Sequence, residues 1–167
     1  TVVKKNANED ELLDLVERFS NRDIAVRFIE FMDVGTTNGW AMEDVVTAAD
    51  IRQQFDHLTS LPASKPGEVA KRYQLPNGGE VGLITSVTEP FCGDCSRARL
   101  SADGHLYTCL FASQGLDLMT PMRMGASDEE LIALIEDCWH HREDRYSEIR
   151  SEKTTVRPRI EMSFIGG

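Results

Sequence analysis

Ile24-Ala25-Val26-Arg27-Phe28-Ile29-Glu30-Phe31-Met32 is an apolar run, rich in branched and aromatic side chains and broken only by Arg27 and Glu30, and it reads as a strand. Working back from it, Asn21 to Asp23 end a helix whose apolar positions Leu12, Leu15, Val16 and Phe19 recur at helical spacing. Asn8 with Glu11 three residues on has the form of a capping box that opens that helix, and Thr1-Val2-Val3-Lys4 reads as a short strand before it. Strand, helix and strand within thirty-odd residues predict a parallel β-α-β unit. One such unit cannot close a sheet, so further strands are expected on its N-terminal side. The chain also starts at Thr1 without an initiator Met, as a piece cut from a longer polypeptide would.

Forward from Met32, Asp33-Val34-Gly35-Thr36-Thr37-Asn38-Gly39 is a loop at the C-terminal end of a parallel strand, where α/β barrels place ligands. Arg27 has two readings at this point. It is either a solvent-facing arginine or ion-pair partner of Glu30, or an arginine pointing into a barrel lumen toward an anion. Thr47 with Asp50 predicts the start of another helix, with Ile51, Phe55 and Leu58 as its core stripe. Pro62-Ala63-Ser64-Lys65-Pro66-Gly67 is a connector. Beyond it, Val69 to Leu75 and Val81 to Val87 flank Pro76-Asn77-Gly78-Gly79, a hairpin signal that predicts a change to antiparallel sheet. The organisation expected is therefore a β-α-β part over 1–61 and a second domain over 62–167.

That second part holds the chemistry. Pro90-Phe91-Cys92-Gly93-Asp94-Cys95-Ser96-Arg97-Ala98-Arg99-Leu100 carries a Cys-x2-Cys pair and two spaced arginines, and Cys109 follows fourteen positions after Cys95. A Cys-x2-Cys pair lets two thiolates reach one ion across a turn, and Gly93 is free to take the positive φ such a turn often needs. Three soft sulfur donors suit zinc or an iron–sulfur cluster with one coordination position left open. Arg97 to Ser101 and His105 to Phe111 read as paired strands around Ala102-Asp103-Gly104. A two-residue loop would put Ala98 opposite Cys109. A three-residue loop with Gly104 in the left-handed region pairs Arg99 with Tyr107 and Arg97 with Cys109, and this is the register predicted.

Thr120-Pro121 with Gly125 predicts a short helix, and Ser127 with Glu130 a longer one whose stripe Leu131, Leu134, Ile135, Cys138 and Trp139 is expected to be packed. Cys138 then reads as a small core hydrophobe, and His140 and His141 at the helix end receive no metal role. At the C-terminus, alternating Ile160, Met162 and Phe164 predict an anchored segment that leaves Gly166-Gly167 able to enter a narrow site.

The chain has 167 residues, 41% of them hydrophobic, with 18 basic against 28 acidic side chains and a net charge of -10. That balance argues against nonspecific nucleic-acid or anionic-membrane binding, so an anionic ligand has to meet a local arginine cluster. No eighteen-residue apolar run or signal-peptide pattern is present, and a cytoplasmic protein with reduced thiols is expected.

Arg27 to Met32, Gly82-Leu83-Ile84-Thr85-Ser86-Val87, Phe91 to Leu100, Asp103-Gly104, Cys109-Leu110-Phe111 and Gly166-Gly167 together resemble the C-terminal half of the GTP 3′,8-cyclase family of molybdenum-cofactor biosynthesis. The resemblance spans the whole chain. It implies an α/β fold: the C-terminal part of an incomplete radical-SAM TIM-type barrel, followed by an antiparallel-sheet and helix domain with an auxiliary 4Fe-4S cluster. In that family GTP becomes (8S)-3′,8-cyclo-7,8-dihydroguanosine 5′-triphosphate, a lyase reaction begun by cleavage of S-adenosylmethionine at a second, N-terminal cluster. By the match, Cys92, Cys95 and Cys109 hold the auxiliary cluster, whose open iron meets the guanine. Arg27, Arg97 and Arg99 bind GTP, Met32 contacts S-adenosylmethionine, and Gly166 and Gly167 form a tail that supports catalysis. The Cys-x3-Cys-x2-Cys motif of the first cluster does not occur in this chain, so the chain alone is expected to be inactive without the N-terminal half. A structural zinc module and the auxiliary domain of a different radical-SAM enzyme are the alternatives. An open β-α-β edge further predicts either self-association, for example as a homodimer, or poor order near the N-terminus.

Overall fold

A computed structural model of the chain describes residues 1–150 and 160–165, in which short strands alternate with helices. Two compact units divide it: residues 1–32 with 40–95, and residues 33–39 with the chain from Ser96 onward. Residues 62–95 fall within the first of these units.

In the first unit, β1 (Val2–Val3) lies parallel to β2 (Val26–Glu30), joined by α1 (Leu12–Ser20), so the β-α-β unit forms as predicted. Its cap differs. Glu11 occupies the N-cap without a side-chain bond, because Asn8 is already engaged: its Oδ1 accepts from Lys4 N at 3.0 Å and its Nδ2 donates to Val2 O at 2.9 Å. An Asx side chain that closes its own local turn is no longer free to cap the helix.

The predicted Thr47–Asp50 box is present in both directions at the start of α2 (Ala48–Gln53). Strands β3 (Thr59–Leu61), β4 (Lys71–Gln74) and β5 (Glu80–Ile84) follow. The hairpin of β4 and β5 is antiparallel as expected, but it does not begin a separate sheet. β5 also runs parallel to β2, in register Val26↔Val81 to Ile29↔Ile84, giving one mixed sheet of order β1-β2-β5-β4-β3. Val81, Gly82 and Leu83 are all buried, as befits a central strand with both neighbours filled. One face of this sheet carries Val3, Val26, Phe28, Val81 and Leu83, which pack with Leu12, Val16 and Ile51 of the helices. Phe28 and Leu83 are almost fully enclosed, each a contribution of about 2 kcal/mol.

The second unit is built on a three-stranded antiparallel sheet, β6 (Arg99–Leu100), β7 (His105–Tyr107) and β8 (Leu116–Asp117). After it, α3 (Met119–Arg123) starts earlier than Thr120-Pro121 predicts, with Leu118 as N-cap. Asp117 Oδ1 accepts from Thr120 N at 3.0 Å, and Pro121 sits where a helix has no intrahelical use for its N–H. Gly125, at φ +90, ends the helix as expected. α4 (Asp128–His140) carries the full Ser127–Glu130 capping box. The packed stripe expected on it is not seen among the described residues. No α4 residue is buried, and Leu134 and Ile135 remain 38% and 37% exposed. Cys138 is half-buried.

The alternation predicted for the tail also fails. Residues 162–165 form a turn in which Ile165 is buried and Phe164 half exposed. Glu161 supplies the anchor instead, accepting from Thr36 N at 2.7 Å, Thr36 Oγ1 at 2.6 Å and Thr37 Oγ1 at 3.2 Å. Gly166 and Gly167 lie outside the described residues.

Candidate cluster and substrate site

The cysteine pair of the first unit brackets a single 3-10 turn, Cys92–Asp94, closed by Cys95 N donating to Cys92 O at 3.2 Å. Gly93 does not use a positive φ; a 3-10 turn needs only ordinary right-handed backbone, which corrects the expectation for that residue. Both side chains are half-buried.

What fixes the approach to this turn is Glu30, which the sequence offered only as an ion-pair partner of Arg27. Its buried carboxylate accepts from Ala48 N (2.9 Å), Val87 N (2.8 Å), Thr88 N (2.8 Å) and the Thr88 hydroxyl. One side chain therefore ties the end of β2 to the first turn of α2 and to the segment that leads into Cys92. The signal was available: Glu30 has the parity of Val26 and Phe28, the two buried side chains of β2.

Arg27 has the opposite parity. It lies beside Gly82, where an added Cβ would sit 3.0 Å from Arg27 Cγ, so the missing side chain leaves room for the arginine stem. Its Nη2 is 3.6 Å from Glu68 Oε1, which replaces Glu30 as the ion-pair partner. On β4, Arg72 is also in register with Gly82 and meets Glu80 through two bonds, at 2.9 and 2.6 Å. This face of the sheet is polar. The Ser64 N–H is the main reason that the Glu68 carboxyl stays below the usual carboxylate range, and the Arg72 hydrogen bonds do the same for Glu80. Met32 is half-buried two residues beyond β2.

In the second unit, Arg99 pairs with Tyr107 and Leu100 with Leu106, and Ser101 N donates to His105 O around a loop with Gly104 at φ +82. This is the three-residue loop predicted, and it excludes Ala98 opposite Cys109. The ladder ends at Arg99–Tyr107, before Arg97 reaches Cys109. Arg97 is exposed and Arg99 half-buried. Cys109 lines a cavity of about 280 Å³ with Phe111, Asp144 and Tyr146, and its Sγ accepts from Phe111 N at 3.4 Å.

Cys92 and Cys95 thus belong to one unit and Cys109 to the other. Among the described residues, no three His, Cys, Asp or Glu side chains are gathered as a ready metal site. The donor chemistry nevertheless suits a cluster: three cysteine sulfurs, two of them across one turn, and a third that already accepts an N–H.

A mixed α/β chain with this cysteine turn and this arginine strand is of a recognisable class: the family model described as Molybdenum Cofactor Synthesis C matches residues 24–148, and the chain belongs to that family. Among similar proteins, one from Xanthomonas campestris pv. campestris (strain B100) named GTP 3′,8-cyclase is 50% identical over 170 residues, covering 99% of this chain and 50% of the relative. Relatives of the same name from Staphylococcus carnosus (strain TM300) and Synechococcus sp. (strain WH7803) are 45% and 42% identical, each over 99% of this chain. The chain spans about half the length of the curated relatives it matches, and it fits their C-terminal half. Among the described residues, no helix is long and apolar enough to cross a membrane.

Proposed function

We propose that this chain is the auxiliary-cluster, GTP-binding half of a GTP 3′,8-cyclase, with residues 1–61 as the end of a radical-SAM barrel and 62–167 as the cluster part. The observation that carries this reading is identity to enzymes of that name along 99% of the chain. The cysteine turn and the arginine strands are in keeping with it.

In this reading Cys92, Cys95 and Cys109 would hold a 4Fe-4S cluster, which supplies an open iron able to take a nitrogen or oxygen of the guanine. Arg97, Arg99 and Arg27 offer paired N–H donors to phosphate or base, and so fix the substrate by charge-assisted hydrogen bonds. Met32 contacts S-adenosylmethionine from just past the strand end, and the Gly166-Gly167 tail supports catalysis. Positioning is this half's contribution to rate. The radical would arise at a cluster bound by the N-terminal half of the enzyme, and this chain by itself neither cleaves S-adenosylmethionine nor turns over GTP.

Anaerobic reconstitution with iron and sulfide, followed by metal analysis, tests the reading. Four irons per chain are expected by the cluster type, lost in Cys109→Ser and kept in Cys138→Ser. Stoichiometric zinc with no iron uptake would overturn it in favour of a structural zinc module. Turnover by the purified chain would refute the inactivity claim.

A further inference from the structure

Asp33 is 1% exposed and belongs to none of the roles above. Within the second unit its carboxylate accepts from Tyr146 Oη at 2.7 Å and from Arg150 Nε at 2.9 Å, and the Arg150 side chain is itself only 8% exposed. Tyr146 stacks on Phe111 with ring centroids 4.4 Å apart and planes 23° from parallel. The Arg150 guanidinium lies 5.5 Å from the Phe111 ring and 5.8 Å from the Tyr146 ring, within cation–π range of both. The acid, the arginine and the two rings form one platform.

The platform borders Cys109 directly. Phe111 supplies the main-chain N–H that the Cys109 sulfur accepts. On the other side of Cys109, the Thr108 hydroxyl donates to Asp144, two residues from Tyr146. Thr108 and Phe111, on either side of the cysteine, therefore both meet the 144–150 segment, and Asp33 fastens that segment in turn.

We propose that Asp33 is a positioning residue for Cys109: by holding Tyr146 and Arg150 it orients Phe111 so that its amide donates to the cysteine sulfur. The consequence for chemistry rests on the cluster reading above. An N–H directed at a ligand sulfur stabilises the extra negative charge of the reduced state and so raises the reduction potential.

Two readouts on the full chain test this. In the metal-free protein, amide exchange of Phe111 is followed by NMR for Tyr146→Phe, which keeps the stacked ring, and for Asp33→Asn; faster exchange than in the parent is expected in both. In the reconstituted protein, the midpoint potential from EPR-monitored titration is expected to move to more negative values in the same variants. Arg150→Lys keeps the charge while giving up the planar fork, and should move both readouts in the same direction. An unchanged Phe111 exchange rate, or an unchanged potential at equal cluster content, overturns the proposal. Failure of the unaltered chain to take up iron would instead sink the cluster reading, and the exchange measurement would still decide whether Asp33 positions Phe111.

Discussion

Arg27 Nη2 lies 3.6 Å from Glu68 Oε1, with the arginine stem running past the bare Cα of Gly82. Glu68 is held by Ser64 N at 2.6 Å and cannot follow the guanidinium to a ligand. An anion bound at Arg27 therefore competes with a fixed carboxylate. Removing that negative charge in Glu68→Gln should tighten GTP binding a few-fold, whereas Arg27→Ala should weaken it by roughly tenfold, the scale of one charge-assisted hydrogen bond. Titration of the reconstituted chain with GTP separates the two; weaker binding by Glu68→Gln would count against competition.

Glu30 carries four donors on one buried carboxylate. Glu30→Ala strands three main-chain N–H groups and a hydroxyl, at a cost of about 3 kcal/mol or more. Urea unfolding of the metal-free chain checks the stability, and Cys92 and Cys95 should react faster with a thiol reagent in the variant. A loss well under 1 kcal/mol would show that water or rearrangement satisfies these groups.

Two hairpin glycines have the same backbone need and different surroundings. Gly78 (φ +86) has open space around the site of a Cβ, while a Cβ at Gly104 (φ +82) would lie 2.8 Å from Met119 Cβ. Gly78→Ala should cost about 1 kcal/mol, from the left-handed backbone alone, and Gly104→Ala clearly more. Equal losses would mean that α3 gives way without penalty.

Glu80, Glu68 and Glu161 all have carboxyls held below the ordinary range, chiefly by Arg72, by the Ser64 N–H and by the Thr36 hydroxyl respectively. Each binds its proton more weakly folded than unfolded. The stability they supply is complete above the unfolded carboxylate range and is lost as pH falls through the lower, folded values. Urea midpoints should fall from neutral pH to roughly pH 3, and the fall should be smaller in Glu80→Gln. An identical pH profile for that variant would remove the Arg72 pair from the account.

Local signals along the chain were sufficient wherever one element decides its own form. The β-α-β order, the capping boxes at Thr47 and Ser127, and the left-handed Gly104 with its Arg99↔Tyr107 register all follow from residues within a few positions of each other. The cysteine and arginine motifs were legible for the same reason, since their spacing is itself the signal. Where distant segments compete for one group, the sequence was silent. Asn8 turned to Val2 and Lys4 rather than to the helix, Arg27 found Glu68 rather than Glu30, and β5 joined β2 although its own hairpin announced only an antiparallel partner. Glu30 and Asp33 became hubs because burial leaves a carboxylate no choice but to collect donors, and those donors come from residues 18 to 117 positions away. Sequence spacing determined which residues are the candidates for the chemistry; the tertiary structure alone decided what holds the elements around them, because a buried polar group takes whichever partner packing brings within reach.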